Sequence, residues 1–114
     1  YKYEPNNHEL AMIIEGDKRI ELCNSALYQE SIREAPASIV ISAVYERTTW
    51  KYGERGIRYV HIEVGHVAQN IYLQAVSLNL GVAVIGAFDD DKVKKVINLS
   101  SKEHPLYIMP VGKK

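Results

Sequence analysis

A layered fold of the α+β or α/β kind is what this sequence predicts, and three observations point to it. Apolar, β-branched runs stand at the start, the middle and the end of the chain. Helical periodicity fills the stretches between them. One long segment is apolar on two sides, as a helix packed between two layers must be.

The elements follow in order. Tyr1 to Glu4 and Leu10 to Ile14 read as two short strands, with the turn chemistry of Pro5-Asn6-Asn7 between them. Gly16-Asp17 punctuates, and Asp17 is placed to cap a helix. From Lys18 to about Arg33 apolar residues recur at Ile20, Cys23, Ala26 and Leu27, which is helical spacing, and Pro36 ends the segment. Ala37 to Tyr45 is the strongest strand, interrupted only by Ser38 and Ser42, and suits a strand covered on both faces. Glu46 to Gly56 is polar, carries two glycines and the only Trp, and reads as a loop.

A long helix is expected from about Ile57 to Leu80. At 100° per residue, Val60, Val64, Val67, Ala68, Ile71, Ala75 and Leu78 share one stripe, while Ile62, Leu73 and Leu80 lie nearly opposite. Gly65, Ala68 and Ala75 would admit a close neighbour, and Gly81 stands where a helix usually stops. Val82 to Ile85 is a short buried strand running into Gly86-Ala87-Phe88. Asp89 and Asp90 cap a short helix through Val93, Val96 and Ile97. After a loop over Ser100 to His104, Leu106 to Val111 is the last strand.

Size and composition bound the rest. The 114 residues suit a single domain spanning 1–114, with 46% apolar and 25% charged residues. Fourteen basic residues balance fourteen acidic ones, which argues against a nucleic-acid binder. Cys23 is the only cysteine, so no internal disulfide or multi-cysteine metal site is expected. Without a membrane-length apolar run or a signal pattern, the expected compartment is the cytoplasm.

Few residue patterns point to chemistry by themselves. His61 and His66 are about 140° apart round a helix and cannot share a metal, and Glu63 with His66 is half of a di-iron pair without its second copy. No metal is expected; a packed or hydrogen-bonded polar cluster is. Cys23, on an apolar helix face, reads as a buried and inert thiol. Two features hold more. Lys51-Tyr52, flanked by Arg47 and Arg55, could relay a proton, although the same loop also reads as merely solvated. Gly86-Ala87, at a strand end, would let a planar ligand reach backbone N–H groups, and the tail lysines Lys113 and Lys114 could hold a phosphate. The competing reading is a tight turn and a frayed tail.

The stretch Arg58 to Ala75 resembles the central helix of the nitroreductase-like flavoproteins, and most closely that of the SagB-type dehydrogenases, which oxidise azoline rings to azoles. The pattern recurs in Gly16-Asp17, Ala35-Pro36, Lys51-Tyr52-Gly53-Glu54-Arg55-Gly56, Gly86-Ala87-Phe88-Asp89-Asp90 and Pro105 to Gly112. The resemblance implies an α+β fold, a layered α/β/α sandwich with its sheet flanked by helices. It implies FMN, and a homodimer with the long helix at its interface. It would set Gly86 and Ala87 beside the isoalloxazine, with an N–H near flavin N5, and Lys113 and Lys114 at the FMN phosphate. Lys51 and Tyr52 match the family's proposed proton acceptors, opposite a small-molecule or peptide-derived substrate. The match covers the C-terminal part of the family's fold. The Arg-Arg-Ser-type segment that gives FMN phosphate and ribityl contacts is not among these residues. A shortened, flavin-free dimeric remnant, acting as a binding or structural module, is the alternative.

Overall fold

In the computed structural model, which describes residues 1–114, the chain opens on a hairpin that stands apart from the main sheet. Its strands β1 (Lys2–Glu4) and β2 (Glu9–Ala11) pair antiparallel. The second is shorter than predicted: Met12, Ile13 and Ile14 lie beyond it and are exposed.

The single helix predicted over 18–33 is two helices, α1 (Arg19–Ser25) and α2 (Glu30–Glu34). Between them Leu27 and Tyr28 both adopt left-handed backbone, each at φ 57°. No Gly, Pro or Asn marks the break, which is why periodicity ran through it. Asp17 does not cap α1 as expected. Its Oδ1 accepts the Arg19 amide at 3.0 Å, and its carboxylate also binds the Arg19 guanidinium, so it forms a local turn just before the helix. Ala35 is extended before Pro36, and α2 ends there as predicted.

Strand β3 (Ala37–Ala43) follows, then α3 (Glu46–Tyr52), where a loop was expected. None of α3's residues is buried, so it carries no apolar stripe for periodicity to detect. Its glycines come later: Gly53, at φ 63°, turns the chain into α4 (Arg55–Ser77). Gly56 is required for packing, because a Cβ there would stand 3.0 Å from the Thr49 Cα of α3. Of the inward stripe predicted for α4, Val60, Val64, Ala68 and Ala75 are buried, whereas Val67 and Leu78 are exposed. Its opposite strip is bare: Ile62 and Leu73 are exposed, and Gly65 faces open space. Helix α4 stops before Gly81; left-handed Asn79 turns it instead. Gly81 belongs to β4 (Leu80–Val82), which begins earlier than predicted, while Ile85 makes an isolated bridge to Ile108.

Helix α5 (Asp90–Val96) is capped as expected, Asp89 Oδ1 accepting the Lys92 amide at 3.0 Å. The last strand, β5 (His104–Lys113), is longer than predicted and sits in the middle of an antiparallel sheet ordered β3-β5-β4. A central strand tolerates its prolines for two reasons. Pro105 sits at the register shift opposite Ser42. The Pro110 carbonyl accepts from Ala83, so its missing N–H faces the same side, just past the end of β4.

Helices cover both faces of this sheet. Ile108 and Met109 are neighbours on β5, point to opposite faces and are both fully buried. Ile108 joins Leu22, Cys23 and Ala26 of the α1 segment, Ile32 of α2 and Val93 of α5 in one core. Helix α4 packs on β4 and β5. The result is the layered α+β architecture expected. Strand β3, however, is not covered on both faces, since Ile39 is exposed.

Candidate functional site

The sheet has two distinct ends. At one, β3 leaves opposite His104 and the chain turns into α3; at the other, Leu80 pairs with Lys113 and Gly81 with Gly112. Ile85 bridges Ile108, five positions along β5 from Lys113, or roughly 17 Å. The sequence-predicted residues divide between these ends.

Gly86 and Ala87 follow Ile85 and are exposed. Their amides donate to no backbone carbonyl, whereas Ile85 and Asp89 on either side are bonded, to Ile108 and Ser25. Gly86 lies against the Tyr107 ring, where an added Cβ would stand 3.4 Å from Cε1. The pair is fixed from behind. Gln29 Nε2 donates to Ala26 O at 2.8 Å and to Ala87 O at 2.9 Å, so both amide hydrogens of one side chain are used. Two free, rigid N–H donors on an open loop fit the polar edge of a planar heterocycle.

Lys51 and Tyr52 occupy the last turn of α3, both exposed. Lys51 Nζ lies 5.3 Å from the Tyr52 ring centroid, a cation–π contact, and Tyr52 meets Tyr59 of α4 edge-on at 5.2 Å. Their helix follows β3 out of the sheet where Ala43 pairs with His104, and no side-chain contact joins them to Gly86. Lys113 and Lys114 lie at the opposite end. Lys113 borders an open groove with Ser31, Glu34, Pro36 and Gly112, and Lys114 Cγ lies over Gly81. The structure therefore does not bring the lysine tail together with Gly86-Ala87.

Sequence reasoning missed one cluster. Tyr45, at the start of α3, shares a 2.7 Å hydrogen bond with His61 Nε2 of α4 and packs against the His104 ring at 5.1 Å. Partial burial, and then the Asp90 carboxylate, push the Tyr45 phenol above its ordinary pKa. His61 was expected in a hydrogen-bonded cluster rather than on a metal; its partner, at the end of a strand, left no periodic signal. Cys23 is buried as predicted, its Sγ–H donating to Gln29 O at 3.3 Å.

These features can be set beside known proteins. The model of the nitroreductase family matches residues 1–113. The chain belongs to the nitroreductase family. A protein of Methanocaldococcus jannaschii that carries a nitroreductase name is 50% identical over all 114 residues, which cover 57% of its length. A crystal structure of a nitroreductase from Anabaena variabilis is 38% identical with a TM-score of 0.91, over 97% of this chain and 23% of that one. An NADPH:FMN oxidoreductase of Vibrio harveyi, complexed with NAD+, is 25% identical with a TM-score of 0.71, over 84% of this chain and 44% of that one. The chain thus spans little more than half the length of the curated relative it matches. The nitroreductase family consists of flavin-dependent oxidoreductases, and its fold is the one described above. No helix is long and apolar enough to cross a membrane.

Proposed function

We propose that this chain forms the flavin-ring side of an FMN-dependent oxidoreductase site, as the C-terminal part, residues 1–114, of a nitroreductase fold. The observation that carries it is the pair of exposed, unpaired amides at Gly86 and Ala87, pinned by Gln29. Bound FMN supplies a two-electron hydride acceptor or donor at its N5 edge. Gly86 and Ala87 donate backbone hydrogen bonds to that edge and fix its orientation without any side chain in the way. Lys113 and Lys114 supply positive charge for the phosphate.

Lys51 or Tyr52 accepts the proton released from the substrate as its neighbouring C–H bond yields a hydride. This assignment rests on the resemblance to the azoline-oxidising SagB-type dehydrogenases, and favours a ring in a peptide-derived or other small substrate. Ile62 and Leu73 on the bare strip of α4 suit a second copy of the chain, giving a homodimer.

Two measurements test the reading. Protein incubated with FMN and desalted should keep a flavin absorbance band; a colourless product overturns cofactor binding by this chain. Lys51→Ala should lose substrate oxidation while keeping fold and flavin. Unchanged turnover removes Lys51 from the mechanism.

A further inference from the structure

We infer that Leu27 and Tyr28 form a substrate- and ring-facing wall beside Gly86-Ala87, with Tyr28 stacking on the planar ring that those amides hold. This rests on the flavin reading above and adds to it a residue pair that no motif singled out.

The argument begins with the backbone. Helix α1 ends in a Schellman-type turn, the Tyr28 amide donating to Cys23 O at 3.0 Å. The residue inside such a turn is usually glycine, with asparagine as second choice, because a Cβ disfavours the left-handed region. The chain obeys that preference elsewhere: Asn79 and Asn98 stand at the ends of α4 and α5. At the end of α1 it places Leu and Tyr, two in succession, both at φ 57°.

Burial does not explain the choice. Leu27 is 64% exposed and Tyr28 70% exposed. The Tyr28 hydroxyl has no hydrogen-bond partner in the chain, unlike those of Tyr3 and Tyr45. Two bulky side chains that strain the backbone and touch little of the core are kept for what they present to the outside.

What they present them to follows from the anchoring. Ala26 before the corner and Ile32 after it are fully buried. Gln29, the next residue, bonds to Ala87, and Ser25 O accepts the Asp89 amide at 2.9 Å. The corner and the Gly86-Ala87 segment are thus clamped together on both sides. The Leu27-Tyr28 corner, with an exposed aromatic ring and an exposed aliphatic side chain, is thereby held next to the segment that carries two free N–H donors. That combination recognises a flat, conjugated heterocycle: polar along one edge, apolar on its face.

The test uses the whole chain, with FMN and riboflavin as probes and amide NMR as readout. Both probes should shift the Gly86, Ala87 and Tyr28 resonances. Tyr28→Asn should weaken riboflavin binding about tenfold, the size of one aromatic stacking contact, and remove quenching of the bound flavin's fluorescence. The same variant should melt at a higher temperature than the parent, because Asn adopts left-handed backbone more readily. Loss of ligand with gain of stability cannot come from a damaged fold. If Gly86 shifts but Tyr28→Asn binds as tightly as the parent, the wall is wrong and the flavin reading stands. If neither probe shifts Gly86, the flavin reading fails and the wall with it. If Tyr28→Asn changes only the oligomeric state, the corner is a protein contact and the proposal is overturned.

Discussion

The two ends of the sheet use glycine in opposite ways. At the Lys113 end, Gly112 is closed in: a Cβ there would lie 2.8 Å from Pro36 Cδ. At the other end, Gly86 is open on the outside, and its added Cβ would only touch the Tyr107 ring at 3.4 Å. One glycine exists so that the chain can pack, the other so that something can approach. Where backbone amides are left free beside an unfilled position, the fold is presenting a surface rather than completing a core.

Substitutions can break or sharpen this contrast. The largest effect on stability is expected from Gly112→Ala, about 1–3 kcal/mol destabilising by overpacking, read from denaturant unfolding. Gly86→Ala should stay within about 0.5 kcal/mol of the parent while weakening FMN binding; equal destabilisation at both sites would erase the distinction. Next comes Tyr45→Phe, which removes the bond to His61 and should cost about 0.5–1.5 kcal/mol, with Tyr45→His or Trp no better than Phe at restoring it. The smallest effect lies outside both ends. The Arg19 side chain and amide hold the Asp17 carboxyl down, from 3.8 to about 2. A lowered acid pKa contributes stability above its unfolded value and loses it as pH falls through the folded one. Arg19→Ala should therefore flatten a shallow acid-side slope between those two values in a melting-temperature series.

Much of this was legible in the sequence, and the failures share a cause. Strand β3 and the inner stripe of α4 were readable because burial imposes a period on residues such as Val60 and Val64. Asp89 was readable because capping needs a particular side chain at a particular place. Helix α3 was not, since nothing on it is buried. The break at Leu27-Tyr28 was not, since those residues violate the preference that reveals helix ends. The Tyr45–His61 pair was not, because hydrogen bonds between distant elements leave no spacing to count. Gly86 and Ala87 were legible as residues that permit approach; that their amides stay free needed the full hydrogen-bond pattern. The separation of Lys113 from Gly86 needed the strand register.

The position of β5 has a consequence for how the protein comes into being. Strands β3 and β4 pair with β5 and not with each other, so Ala37 waits for Val111 and Leu80 for Lys113. A nascent chain that has reached Ser100 holds both outer strands of the main sheet but not the strand that joins them. Ile108 and Met109, the residues that anchor the two opposite faces, also arrive with β5. Formation of this sheet is a non-local event, with the slow kinetics that distant pairings impose.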